Sequence, residues 1–387
     1  MRNLFLHESK KLFCNQFLRC SVLFLLFINA MYIIQNQNTY SDRFNQDTIN
    51  AGWEMYKDEE GPITEEKLQS LSSHIESLQK DDVNGRTYYL SQYFDLTESQ
   101  NLLREMQQAR AYAEKNQKRL KQNEDIRQKL STTGYPYAVK QCEMIARDYA
   151  EREITSYYRT QSYEKYFKYD FSSLLLILTM FLASSSLFAK EKETGMHVLQ
   201  ISTVSGRNRL TLCKLCAFTL FLFTVFVLFF ISDFLLFLWR ERLTGGQNPV
   251  YSMPSFADSP LSISIGSFVF VNAASKLLGL LHLSAFSCFL SKLGKQAWAV
   301  LICDLLFLFA CMSLSTCSEG VFSYLNVWNP ICMLLFRNAV LSFETLNILS
   351  IPIYTHTVLL FCSTAAFSFL MFAAFVPDRK KGARHVA

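Results

Sequence analysis

Hydrophobic residues in this chain are gathered into six long segments, separated by polar stretches of unequal length. Crossing the hydrocarbon layer of a membrane takes about 20 mostly apolar residues, at a rise of about 1.5 Å each. Residues 18–35, 171–189, 215–239, 271–290, 297–316 and 351–376 meet this requirement. Backbone polar groups inside lipid must bond within their own segment, so each segment predicts a helix. The pattern therefore predicts an all-α membrane protein with six transmembrane helices.

The first apolar segment follows a basic stretch, as the apolar core of a secretory signal peptide does. The run over residues 22–34 continues into MYIIQ at residues 31–35, which contains no small-x-small cleavage site. We therefore predict an uncleaved helix at this position.

The orientation of the helices follows from the Lys and Arg residues in the short connecting segments, which favour the cytoplasmic side. An inside N-terminus places there Arg2, Lys10, Lys11, Arg19, Lys190, Lys192, Arg207, Arg209, Lys214, Lys292, Lys295, Arg379, Lys380, Lys381 and Arg384. The short outer segments then hold only Arg240, Arg242 and Arg337. We predict that both termini lie inside and that residues 37–170 lie outside.

Residues 37–170 form the long polar stretch, and their pattern predicts helices. A 3-4-3 spacing puts Leu68, Leu71, Ile75 and Leu78 on one helical face. Thr97 and Gln100 have the spacing of a capping box before a second helix over 102–120, and Pro136 ends that helix. A third helix begins near residue 137 and carries Ile145, Tyr149 and Ile154 towards the second span. We predict a coiled-coil-like helical hairpin that packs on a partner; the alternative is a solvated helical stalk.

The chain thus divides into an amphipathic N-terminal helix with the first span (1–36), an extracytoplasmic helical domain (37–170), and the five remaining spans (171–387). Composition agrees, because only 18% of residues are charged, against roughly 25% in soluble domains. The net charge of +5 is dispersed, so no nucleic-acid partner is expected.

Segment 190–214 (KEKETGMHVLQISTVSGRNRLTLCK) lies between the second and third spans. Thr194 is predicted to cap a short helix, with Glu191 and Glu193 near its positive N-terminus. A short helix fixed between two membrane helices suits the transmission of force from a docked partner. The alternative is an ordinary interfacial loop anchored by basic residues.

This segment resembles the signature region of ABC-2 type transporter permeases. Residues 7–13 (HESKKLF) resemble that family's in-plane N-terminal helix, 291–295 (SKLGK) its basic turn between the fourth and fifth helices, and 328–335 (WNPICMLL) its re-entrant element. The resemblance covers the chain outside residues 37–170, and this large insert is a departure from the minimal family. It implies that the residues coupling the permease to an ATPase are Glu191, Glu193, Thr194, Gly195, His197, Arg207 and Arg209.

The energy source must lie on another chain. The sequence has no Gly-x-x-x-x-Gly-Lys-[Ser/Thr] motif, and the cytoplasmic segments are too short for a nucleotide-binding domain. The resemblance likewise implies that ATP and Mg²⁺ bind a separate ATP-binding subunit, and that a second permease copy or a related permease completes the pathway. No cofactor and no metal are expected in this chain, and it is not expected to be an enzyme.

Three ionisable residues fall inside the predicted spans, where a charge costs at least ~2.5–3.5 kcal/mol. Asp233 and Lys276 lie at similar depth near the outer side, so they either pair or stay separate, with Lys276 reaching the headgroups. Asp304 is deeper and is expected either to line a polar cavity or to bond a neighbouring helix.

Cysteines give no disulfide framework, because eleven are spread over a long chain. Cys317 and Cys332 both fall on the predicted outer side, where a disulfide and two free thiols remain alternatives.

These features lead us to expect the permease subunit of an ATP-driven exporter in the bacterial plasma membrane. Phe-rich helices are expected to line a path for an amphipathic, peptide or lipid-like cargo, and membrane lipid is a further expected partner. The alternative is a membrane-anchored receptor or assembly scaffold that transports nothing and binds an extracellular partner through residues 37–170.

The orientation is testable by labelling single cysteines with a membrane-impermeant reagent in intact cells. In a cysteine-free background, a cysteine at position 120 should react because it lies outside. Cysteines at 205 and 383 should stay protected until the membrane is opened. Labelling of position 205 in intact cells would contradict the six-helix topology.

Overall fold

The computed structural model describes residues 2–36, 54–83, 90–196, 206–317 and 320–375. Its first part contains α1 (Arg2–Phe13), α2 (Gln16–Asn36), β1 (Gly61–Pro62), α3 (Glu65–Val83), α4 (Leu90–Thr133), α5 (Pro136–Tyr149), β2 (Ser156–Tyr157) and α6 (Gln161–Lys168). Its second part contains α7 (Phe171–Glu193), α8 (Gly206–Glu241), α9 (Ile265–Leu293), α10 (Ala297–Ser315), α11 (Val321–Asn326), α12 (Pro330–Leu334), β3 (Thr345–Ile348), β4 (Ile351–Tyr354) and α13 (Thr355–Phe375).

Six of the described helices are long and apolar enough to cross a membrane, namely α2, α7, α8, α9, α10 and α13. Each coincides with one of the predicted apolar segments, so that part of the sequence prediction is confirmed. Sheet is confined, within the described ranges, to two small antiparallel pairs, β1 with β2 and β3 with β4.

Helix α9 lies at the centre of the bundle and packs against α7, α10, α12 and α13. Small side chains make the close packing achievable, as is common between membrane helices. The Ser184 and Ser287 hydroxyls of α7 and α9 lie 2.6 Å apart. A Cβ atom at Gly279 would lie 3.0 Å from the carbonyl oxygen of Pro330, so glycine lets α12 approach α9.

The two ends of the helix bundle differ: one has several basic residues and the other adjoins the domain. The basic end carries Lys190, Lys214, Lys292 and Lys295, while the domain end leads into α3–α6. One core cluster includes Phe181, Phe218 and Leu283 of α7, α8 and α9. A second is rich in aromatic side chains and lies towards the domain end, where α6 meets the bundle; it includes Phe167, Phe237, Phe256 and Phe268.

Helix α1 runs beside α8 and joins α2 through a turn at residues 14–15. Leu12 and Glu8 are buried, while much of the rest of α1 is exposed, which is the pattern of an amphipathic helix. The Phe13 ring meets the Phe221 ring of α8 edge-on, with centroids 5.4 Å apart. The predicted N-terminal helix is therefore present and is held on the bundle by its apolar side.

The domain formed by the described residues between 54 and 168 is helical, as its pattern predicts. Leu68, Leu71 and Ile75 are buried against Leu102 and Met106, so the predicted apolar stripe faces α4. Pro136 separates α4 from α5, because proline fits the first helical turn and not a helix interior.

Three details of this domain differ from the sequence prediction. Helix α4 begins at Leu90, so Thr97 lies inside the helix and does not cap its start. Helix α5 ends at Tyr149, so Ile154 lies in the connection to α6. Helix α4 packs on both α3 and α5, which makes a three-helix arrangement instead of a two-helix hairpin.

The domain rests on another part of the same chain. The Arg152 guanidinium donates to the carbonyl oxygens of Ser259 and Pro260, at 2.7 Å each. It also lies over the rings of Tyr149 and Tyr251, 4.3 and 4.9 Å from their centroids. Arg152 is only 6% exposed, so these contacts replace most of its hydration.

Tyr149 supports the same contact from α5. Its hydroxyl donates to the carbonyl oxygen of Asp258 at 2.5 Å, and its own carbonyl accepts from the Asn116 side chain at 2.7 Å. Burial raises the pKa of Tyr149 to about 12, which keeps the hydroxyl protonated as a donor. Part of the surface expected to need a partner is thus covered by residues 258–260.

Replacing Arg152 by lysine tests how strongly the domain is held. Arg152→Lys keeps the charge but loses the paired hydrogen bonds and the planar stacking. We expect a cost of about 1.5–3 kcal/mol, seen as a Tm several degrees lower for the detergent-purified protein. Arg147→Lys is the matched control, because that side chain is 70% exposed and bonds its neighbour Asp148. Equal Tm values for the two variants would contradict this role of Arg152.

Candidate functional site

A buried group of charges at the basic end joins three helices. Glu191, in the last turn of α7, accepts a hydrogen bond from the Lys11 ammonium of α1 at 3.1 Å. Its other oxygen contacts the ammonium of Lys214, near the start of α8. Lys214 is 2% exposed and Glu191 8% exposed. Glu8, also buried, lies close enough to act on Lys214 electrostatically.

This placement of Glu191 needs those cations. A carboxylate in the last turn of a helix faces the negative end of the helix dipole, which is unfavourable. Burial adds a desolvation cost of several kcal/mol per ion, which only a well-placed opposite charge offsets. Lys214 supplies that charge from within the core and Lys11 from the surface, since its side chain is 56% exposed.

The end of α7 is also attached to the turn between α9 and α10. Lys192 donates to the carbonyl oxygen of Gly294 at 3.0 Å and to that of Lys292. Glu193 accepts from the backbone N–H of Ala297 at 2.8 Å, which caps the first turn of α10. Lys292 reaches the carbonyl oxygen of Ala373 in α13 at 3.3 Å. The basic turn over 291–295 is therefore where three helices are tied to α7.

Thr194 lies two residues before Met196, where the chain is helical again, close to the predicted helix start. It is the C-cap of α7, and its hydroxyl donates to the carbonyl oxygen of Lys190 at 3.1 Å. Gly195 follows with a φ of 72°, the left-handed conformation with which glycine commonly ends a helix. Glu191 and Glu193 lie in the last turn of α7 and precede the helical position Met196; residues 197–205 lie outside the described part of the chain.

The other predicted coupling residues are less defined. Arg209 lies in the first turn of α8 and is exposed. Arg207 lies on the same turn, and its side chain is outside the described part of the chain, as is His197 with the rest of 197–205.

A second polar group lies at the domain end, around Asp233 of α8. The Asn29 amide of α2 donates to Asp233 at 2.5 Å, and the Tyr169 hydroxyl donates to Asn29 at 2.6 Å. Ser172 of α7 also bonds the Asp233 carboxylate. Asp233 is 6% exposed, so its charge is stabilised by uncharged donors from two neighbouring helices.

Lys276 pairs with Asp170 at 3.4 Å, and not directly with Asp233. Arg337 joins the same carboxylate at 2.7 Å and donates to the carbonyl oxygen of Phe167. Asp170 immediately precedes α7, where a negative charge is favoured by the helix dipole. A carboxylate at that helix end is thus the direct partner of both cations.

A small cavity of about 30 Å³ lies beside this polar group. Asp233, Lys276 and Asn272 line it together with the rings of Phe229 and Phe230. The space is about that of one water molecule. One water molecule in the cavity can hydrate the polar group, but a larger molecule does not fit.

Asp304 is fully buried and accepts a hydrogen bond from the Ser287 hydroxyl of α9 at 2.5 Å. Ser287 in turn contacts Ser184 of α7, so one polar chain crosses three helices. The second carboxylate oxygen of Asp304 has no hydrogen-bond partner among the described residues. The expected hydrogen bond to a neighbouring helix is thus present.

Cys317 and Cys332 are both free thiols, so the structure contains no disulfide between them.

Sequence reasoning missed the partners of the charged residues. Lys11 was counted only as an orientation signal, and Glu8, Asn29 and Asp170 were not singled out. The one available signal was the spacing of Glu8 and Lys11, which puts them on one face of a short helix.

No protein family model, curated protein or solved structure matches this chain.

The buried ion pair is testable by a double-mutant cycle. Lys214→Met removes the buried cation and leaves Glu191 with Lys11 alone, so we expect destabilisation of about 3–5 kcal/mol. Glu191→Met combined with Lys214→Met replaces both ions by apolar side chains and should recover most of that loss. Tm in detergent is the measurement.

Lys190→Met is the control, because Lys190 is an exposed neighbour of Glu191. With Glu191→Met as the second single variant, effects of the two single variants that simply add up in the double variant would show that the two residues are not energetically coupled.

Proposed function

We propose that this chain is the membrane-spanning permease subunit of an ATP-driven ABC exporter in the bacterial plasma membrane. The six membrane-length helices and the ABC-2-like segments support the proposal. Its basic end would face the cytoplasm, with the domain built on α3–α6 outside. ATP and Mg²⁺ would bind a separate ATP-binding subunit docked at the basic end.

One observation carries the proposal most directly, and it is the buried Glu191 contact. Segment 190–214 begins at the end of α7 and re-enters the bundle at Lys214, and both of these ends meet at Glu191. Lys11 adds α1 to the same contact. A partner that pushed on the segment would therefore move α1, α7 and α8 together, because their buried charges cannot separate cheaply.

The contacts of Lys192 and Glu193 extend this linkage to α9 and α10. Four other helices, α1, α8, α9 and α10, thus meet at the last turn of α7. A receptor or scaffold that only anchors a domain has no need for such a convergence at the membrane face opposite its domain. This supports transport over the anchoring alternative.

The cargo path would need a second permease copy or a related permease. The cavity beside Asp233 has room for about one water molecule, which excludes it as a path for an amphipathic, peptide or lipid-like cargo. Exposed aromatic side chains on several spans, including Phe24, Phe309 and Phe361, are available to meet lipid or the second copy.

Photo-crosslinking in cells tests the proposed partner. A benzophenone amino acid placed at His197 of the full chain should capture a protein that carries a Gly-x-x-x-x-Gly-Lys-[Ser/Thr] motif, identified by mass spectrometry. The purified crosslinked complex should hydrolyse ATP. The same amino acid at Leu120, in the α4 helix of the domain, is the matched control and should not capture that protein.

Two outcomes would overturn the proposal. Capture of the same ATPase from position 120 would mean that the orientation is reversed. Capture of a different protein at 120, with no ATPase at 197, would establish the receptor or scaffold alternative.

A further inference from the structure

The domain contains an open groove that the proposed function does not use. Its volume is about 450 Å³, and it lies between α4 and the chain segments around residues 154–160 and 248–257. Ligand sites in proteins commonly have volumes of about 300–1,000 Å³. The first segment connects α5 to α6, and the second belongs to the loop between α8 and α9.

One face of α4 forms the floor of the groove. Glu105, Gln108, Tyr112 and Lys115 all line it, at spacings of three, four and three residues. Such spacing puts them on one helical face. Glu105 and Lys115 are therefore opposite charges at the two ends of a strip about 15 Å long, from a rise of about 1.5 Å per residue.

Glu105 forms no ion pair with the described residues. Its carboxylate accepts hydrogen bonds from the Tyr157 hydroxyl at 2.6 Å and from the Gln161 amide, both uncharged. Burial raises the pKa of Glu105, and neither these bonds nor the more distant charge of Arg159 offset it fully. A cationic group bound in the groove would stabilise the charged form of Glu105, which burial destabilises.

Between the two charges the groove is aromatic. The rings of Tyr112 and Tyr251 stack with centroids 5.3 Å apart, and Tyr157 also lines the wall. Asn248 lines it as well, and its amide nitrogen has no hydrogen-bond partner among the described residues. A ligand with apolar side chains and backbone carbonyls would suit both features.

We propose that this groove binds a short extended peptide with free termini, its ammonium at Glu105 and its carboxylate at Lys115. At about 3.3 Å per residue, a strip of about 15 Å accommodates four or five residues. The charge order fixes the direction of the peptide. This site stands whether or not the chain transports anything, because it depends only on the domain and the segments beneath it.

The test uses the full chain in detergent and the radiolabelled pentapeptide Ala-Phe-Gly-Phe-Ala, with scintillation-proximity binding as the readout. The peptide is prepared free, N-acetylated and C-amidated. Acetylation and Glu105→Gln should each weaken binding about tenfold, as expected for a charge-assisted contact. Glu105→Gln should not further weaken binding of the acetylated peptide, because acetylation and the substitution remove the same contact.

Lys115→Gln and amidation should behave in the same paired way, with a smaller loss of about threefold because Lys115 is exposed. Glu114→Gln is the matched control: it removes a carboxylate from an exposed neighbouring position of α4 and should leave binding unchanged. Absence of binding to the wild-type chain at millimolar peptide would overturn the proposal. So would a Glu105→Gln variant that loses as much affinity for the N-acetylated peptide as for the free peptide.

The stability of Glu105→Gln separates lost recognition from lost folding. Because the folded pKa of Glu105 is raised, its ionisation opposes folding, and stability falls as pH rises from the unfolded pKa to the folded one. Glutamine removes this cost and retains one of the two acceptor oxygens, enough to keep the hydrogen bond from the Tyr157 hydroxyl. At neutral pH the variant should therefore have a Tm at least equal to that of wild type while it binds the peptide poorly. A Tm well below wild type would contradict this assignment of Glu105.

Discussion

A carboxylate among apolar helices is stable only where cations or hydrogen-bond donors reach it, and Glu191 shows what this constraint does to the fold. The last turn of α7 would repel this charge by its own dipole. Lys214 must therefore come from α8 and Lys11 from α1, and three helix ends are drawn to one point. The chain leaves the bundle at this contact and returns to it, so any force on segment 190–214 acts where the helices are least able to separate.

The other buried carboxylates of the bundle also need partners from neighbouring helices, and their interactions are weaker. Asp233 has no direct ion pair and is held by Asn29 and Ser172 from two other helices. Asp304 has Ser287 as its partner. Hydrogen bonds between membrane helices are individually modest, about 0.6 kcal/mol on average. These sites therefore fix the register of the helices more than they determine total stability, whereas the Glu191 site combines charge, burial and three elements.

The domain is attached by different physics. Besides the aromatic packing of α6, Arg152 stacks on the Tyr251 ring, and Arg152 and Tyr149 donate hydrogen bonds to backbone carbonyls of residues 258–260. Such contacts depend on geometry, so they hold the domain in a defined orientation over the bundle. The groove beside them keeps a carboxylate whose charge is costly in the folded chain. Retention of unfavourable groups is typical of binding sites, where stability is exchanged for recognition.

The sequence by itself determined several features that depend on local pattern. Six apolar lengths predicted six membrane-length helices, Pro136 predicted a helix boundary, and the spacing of Leu68, Leu71 and Ile75 predicted a buried face. Local pattern failed at Thr97: its spacing to Gln100 is that of a capping box, but α4 already begins at Leu90, so Thr97 lies inside the helix. Only the tertiary structure decided the charge partners. Asn29 and Asp233 are 204 positions apart, and Lys11 and Glu191 are 180 apart, so helix packing alone brings them together.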